Sequence, residues 1–147
     1  MKILKIIFAS ALLVCSIQAA SMAQSSNVTE TLKEHFNETV QSVYSTDNAD
    51  EKRSVLDESF NKMITALDQI ESRAALDEDQ TNDLETYRFL LTEKLNELNG
   101  LDGFEEVKDE DLNDFTDYSQ NIIEQANRTL TIGLGTALLI VIILLLL

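Results

Sequence analysis

The sequence predicts an all-α fold: a small bundle of three or four amphipathic helices with an antiparallel hairpin at its core, followed by a C-terminal transmembrane helix. Three observations carry this. Proline is absent and the first glycine is Gly100, so the strongest helix breakers are missing from residues 1–99. Apolar residues recur at spacings of three and four, the helical period, and nowhere alternate as a β-strand requires. Residues 130–147 form a run of 18 without a single charge.

The first element is a leader. Lys2 and Lys5 make a basic start, residues 6–17 an apolar stretch, and Ser21-Met22-Ala23 a small-x-small site before Gln24. That is the three-part pattern of a secretory signal peptide over residues 1–23. Its 12 apolar residues are too few to span a bilayer comfortably. Cys15 lies inside this stretch and is preceded by Val14 rather than the small residue of a bacterial lipoprotein site. It is the chain's only cysteine, so the mature chain can form no disulfide, thiol nucleophile or thiolate metal site.

Cleavage also sharpens the charge. The whole chain has 11 basic and 26 acidic residues; losing Lys2 and Lys5 leaves 9 against 26, or −17. Such a surface repels nucleic acid and anionic headgroups, which require a basic footprint, and favours cationic partners.

Residues 24–129 read as an extracytoplasmic, acidic helical domain. A first helix over residues 26–44 has the stripe Val28, Leu32, Phe36, Val40 and Val43. The polar break STDNADEK follows, with Asn48 placed to cap the next helix and Glu51 in its first turn. A second helix over residues 49–76 carries Leu56, Phe60, Met63, Leu67, Ile70 and Ala74, spaced 4, 3, 4, 3, 4. This is a coiled-coil-like seam and a candidate interaction seam, but its span of close to three heptads favours the core face of a bundle. LDEDQTND interrupts, as a turn or a kink. A third helix over residues 79–99 has Leu84, Tyr87, Leu91, Leu95 and Leu98 on one face and ends at Gly100, the expected left-handed cap, with Leu101 folding back. Phe104 and Val107 anchor a loop over residues 100–109. A fourth helix starts near residues 109–111, presents Leu112, Phe115, Tyr118, Ile122 and Ala126, and meets no breaker until Gly133, so it is expected to run straight on into the tail.

The tail over residues 130–147 would make about 27 Å of helix, close to the roughly 30 Å of a hydrocarbon core. Apolar on every face, it suits lipid better than a domain surface, where one side meets water. A glycolipid-anchor signal is the rival reading, weakened by the arginine in Ala126-Asn127-Arg128 where small residues are needed.

Chemistry is sparse. His35 is the only histidine, and neither a phosphate loop nor GxGxxG occurs. Asp77, Asp79 and Asp83 match positions 1, 3 and 7 of a calcium loop, but Asn82 and Arg88 stand where its glycine and final glutamate belong. Asn27, Asn37 and Asn127 head Asn-x-Thr triplets, glycosylation acceptors only in a eukaryotic secretory protein. The expectation is therefore a single-pass membrane protein facing the periplasm or the extracellular space. It has no enzymatic activity, no cofactor and no nucleic-acid partner. It acts as a protein-interaction or envelope scaffold module, by partner binding or self-association. The alternative is a tethered sensor or binding domain for a small ligand or cation; a glycolipid-anchored surface protein is more distant.

Overall fold

The computed structural model describes residues 28–126 and 136–147, without the side chains of residues 136–140. The expected leader lies outside the described residues. Five α-helices are present among them: α1 (Val28–Ser45), α2 (Ala49–Arg73), α3 (Glu78–Asn99), α4 (Leu112–Ala126) and α5 (Thr136–Leu146). A 3-10 turn, Asp109–Asp111, leads into α4.

Local chemistry sets the boundaries. The Asn48 side chain accepts from the Glu51 amide at 3.2 Å, opening α2 as expected. The α2–α3 interruption is a true turn: Ala74 is extended, and Asp77 and Gln80 form a reciprocal capping box that opens α3. α3 ends at Gly100, whose φ of 63° is left-handed; the Leu101 amide donates to the Asn96 carbonyl at 2.8 Å, as in a Schellman motif.

Successive helices alternate in direction. His35, Phe36 and Thr39 of α1 meet Ser59 and Phe60 of α2. Arg88 of α3 reaches Asp68 and Glu71 of α2, whereas Asn99 reaches Asp57. α4 returns against α1, pairing Asp117 with Tyr44 and Gln120 with Asn37. α2 is the central element and touches each of the other four helices. Its buried face comprises Leu56, Ser59, Phe60, Met63, Ala66, Leu67 and Ile70, one row wider than a two-stranded seam and typical of a bundle core. Phe60 sits at the centre, 5.4 Å from Phe36 and 6.2 Å from Phe115 between ring centroids. Burying each such side chain contributes about 1.5–3 kcal/mol.

Two expected faces are corrected. On α4 the buried row is Leu112, Phe115, Thr116, Ser119 and Ile123, while Tyr118 is 54% exposed. Thr116 and Ser119 are buried, and the Thr116 hydroxyl is satisfied by the Leu112 carbonyl at 2.6 Å. On α3, Lys94 is buried and Leu95 only partly so. The Lys94 stem packs inward while its ammonium pairs with Glu97 and lies 4.6 Å from the Tyr118 ring centroid. Tyr118 thus covers Lys94 instead of filling the core.

The tail also departs from expectation. α4 runs antiparallel to α1, towards the α1 N-terminus, as the Tyr44–Asp117 and Asn37–Gln120 bonds require. Leu146 and Leu147 nevertheless line a cleft with His35, Thr39 and Ser42, back along α1. α4 and α5 are therefore not one continuous rod. α5 packs on α2 and α1, burying Ile142 and Leu146. Among the described residues no helix is long and apolar enough to cross a membrane. α5 covers 11 residues, roughly 16 Å at 1.5 Å per residue. Residues 130–135 of the expected span lie outside the described residues.

Candidate interaction surface

The seam singled out from the sequence is occupied by the chain itself. Leu56, Phe60, Met63, Leu67 and Ile70 are each 0% exposed, and Ala74 is the partly buried cap that ends α2. In the folded chain these side chains meet the bundle's own helices.

His35 borders a cleft of about 210 Å³ between α1, α2 and the last turn of α5. Its Nε2 lies 3.1 Å from Ser59 Oγ, which lies 2.7 Å from Thr39 Oγ1, and Thr39 donates to the His35 carbonyl at 3.0 Å. One proton assignment satisfies all of these. His35 Nε2–H donates to Ser59, Ser59 donates to Thr39, and Thr39 donates to the carbonyl. In that arrangement His35 is a donor to Ser59 rather than its base, so the pair is a structural bridge between α1 and α2. Burial, and then the Lys62 charge, push the His35 pKa below its ordinary value, which keeps the ring neutral near pH 7.

The calcium-like stretch is used for capping: Asp77 Oδ1 accepts from the Gln80 amide at 2.8 Å. Among the described residues no group of three or more metal-ligating side chains is placed to hold an ion. The Asn37 triplet is drawn into packing, with Asn37 Oδ1 accepting from Gln120 at 2.7 Å and Thr39 buried. Asn27 and Asn127 lie outside the described residues.

The surface that stands out is the end of the bundle around the α3–α4 connection. Residues 102–117 hold eight acids (Asp102, Glu105, Glu106, Asp109, Glu110, Asp111, Asp114 and Asp117) against the single base Lys108. The chain is held firmly here. Left-handed φ values at Gly100, Asp102 and Gly103 reverse it sharply, and Asp is among the few residues that tolerate this conformation. Arg53, reaching over from α2, donates to the carbonyls of Leu98 at 2.7 Å and Val107 at 2.5 Å, and pairs with Glu106 and Asp109. The turn thereby becomes one wall of a groove of about 330 Å³, with Asp102 and Phe104 facing Phe89, Thr92, Glu93 and Asn96 of α3. Phe89 is 71% exposed, an unusual position for a phenylalanine on a well-formed helix. On the other side of the connection, Glu97, Glu105, Asp111, Asp114 and Tyr118 line a wider, shallower cleft.

Sequence reasoning did not find this groove. Phe89 falls outside every helical stripe, and that isolation was the available signal; its juxtaposition with Phe104 depends on how the 100–108 loop folds back. No known protein family, curated protein or solved structure matches this chain.

Proposed function

We propose that this chain is an exported, membrane-tethered helical module that acts by binding another protein. The outward face of α5 carries the tethering half of this reading. Ile142 and Leu146 point into the bundle, yet Ile143 is 40%, Leu144 68% and Leu147 84% exposed. A helix apolar towards both the domain and the solvent leaves a surface that lipid covers better than water. The uncharged run over residues 130–147 and the leader pattern supply the length and the route across the membrane. The binding half rests on the acidic, aromatic end of the bundle. The α2 seam is filled from within, so partner recognition falls to exposed side chains.

Flotation with neutral phosphatidylcholine vesicles tests the tether. The full chain is expected to float with the vesicles. A variant with Ile143, Leu144 and Leu147 replaced by serine should float far less. Equal behaviour of the two chains, or failure of the unsubstituted chain to float, refutes the tether.

The alternative, a sensor for a small ligand or cation, is favoured by one feature. The His35 cleft is closed on one side by Leu146 and Leu147, so an occupant would touch the tethering helix directly. Thermal stability that is flat across calcium, other divalent ions and a broad metabolite panel would sink it.

A further inference from the structure

We infer that the groove between α3 and the residue 100–104 turn is a docking site for a basic, amphipathic segment of a partner protein. This deepens the interaction-module reading and does not depend on the tether.

Phe89 and Phe104, which both line the groove, are exposed by 71% and 37%. Each exposed aromatic forgoes the stabilisation that burial supplies, and clustered apolar side chains of this kind mark contact sites. The volume of about 330 Å³ lies at the bottom of the range, about 300–1,000 Å³, that encloses whole small ligands. With open sides it suits one or two anchoring side chains of a longer segment. The walls are pre-organised: Gly100 and Arg53 fix the turn before anything binds, so little ordering cost falls on association.

Charge selects the occupant. Glu93 lines the groove from α3 and Asp102 from the turn, and among the described residues neither forms an ion pair. A segment with lysine or arginine beside its apolar anchors meets both walls. A second copy of this chain does not. Beyond residue 23 it carries 9 basic residues against 26 acidic, so two copies repel each other over most of any shared face. An anionic lipid surface is repelled for the same reason.

The probe is a synthetic 14-residue amphipathic peptide of leucine and lysine, titrated into the full chain in neutral detergent and followed by amide chemical shifts. Two further peptides replace every lysine by glutamate, or every leucine by serine. The expected result is saturable binding of the leucine–lysine peptide, with shifts centred on Phe89, Glu93 and residues 102–104. Phe89→Ser should weaken binding at least about tenfold, since a central aromatic carries much of such an interface. The Glu93→Gln, Asp102→Asn double variant should flatten the salt dependence. Phe89 is largely exposed, so its serine variant keeps the fold, and unchanged shifts at Phe36 and Phe60 verify that. The inference is overturned by unchanged affinity in Phe89→Ser, by equal binding of either control peptide, by shifts centred on Tyr118 and Asp114, or by concentration-dependent self-association through this face. Because the chain stays in detergent throughout, failure here leaves the flotation result standing, and the reverse also holds.

Discussion

Replacing Arg53 with alanine should cost about 3–4.5 kcal/mol, most of it from two carbonyls rather than from salt bridges. Arg53 lies near the start of α2, with its side chain only 18% exposed. One end of the guanidinium meets the Leu98 carbonyl, in the last turn of α3 where no amide of the helix can reach, and the other meets the Val107 carbonyl. Hydrogen bonds from a charged donor contribute about 1.5–3 kcal/mol each, and the lower half of that range applies where solvent can partly enter. The pairs with Glu106 and Asp109 add little, because those carboxylates are 61% and 68% exposed and such pairs contribute about 0–1 kcal/mol. Arg53→Lys should recover less than half of the loss, since one ammonium cannot reproduce the fork. Glu106→Gln and Asp109→Asn should each stay within about 0.5 kcal/mol of the unsubstituted chain. Urea unfolding followed by helical circular dichroism in neutral detergent supplies the free energies. Amide exchange should show faster opening at residues 101–108 in Arg53→Ala. A loss below about 0.5 kcal/mol, or full rescue by lysine, would refute the reasoning.

Gly100→Ala should destabilise by about 2–3 kcal/mol, because it combines a left-handed φ with a Cβ placed 2.8 Å from the Glu106 amide nitrogen; a midpoint of urea unfolding equal to that of the parent would count against it. His35 has a folded pKa below its ordinary 6.5, so the folded state binds fewer protons than the unfolded one, and stability should fall as pH drops below about 6.5 towards that lower value. His35→Gln should be flat over the same window, measured by thermal unfolding between pH 7 and 5; an identical slope in both proteins would exclude His35 as the source. The Tyr87 hydroxyl is buried with no hydrogen-bond partner among the described residues, and burial raises its pKa. Tyr87→Phe should therefore raise stability by about 1 kcal/mol, and a destabilised variant would mean that the hydroxyl has a partner.

The elements that could be read from the sequence are those set by neighbours in the chain. Asn48 caps α2 through an amide three residues away, and α3 ends with the Gly100 and Leu101 amides bonding carbonyls three to five residues back. Propensity and capping act over one turn, so residue types and spacing suffice. The stripes of α1 and α2 were equally legible, because on each helix one apolar row clearly outweighs the others. α4 was not, since it carries two rows one residue apart. Tyr118 and Ile122 compete with Thr116, Ser119 and Ile123, and apolarity alone favours the wrong row. The buried row instead runs through Leu112, Phe115, Thr116, Ser119 and Ile123, set by which face meets the rest of the bundle. The candidate site was illegible for a different reason. By spacing the aromatics read as core; that Phe89 is exposed and faces Phe104 is set by how the turn folds back.

What the sequence by itself determined is therefore the helical class, the placement of most helix ends, the main stripes of α1 and α2, and the acidic balance, each a sum of local preferences or of composition. Tertiary structure decided which α4 face is inside, that Lys94 is buried under Tyr118, that Arg53 clasps the α3–α4 connection, and that the last apolar turn lies against α1 and α2. Those depend on contacts between residues 24 to 85 positions apart, such as Lys94 with Tyr118, Arg53 with Leu98 and Lys62 with the Leu147 carbonyl. No local propensity encodes them; they arise when whole helices compete to cover the same apolar surface of α2.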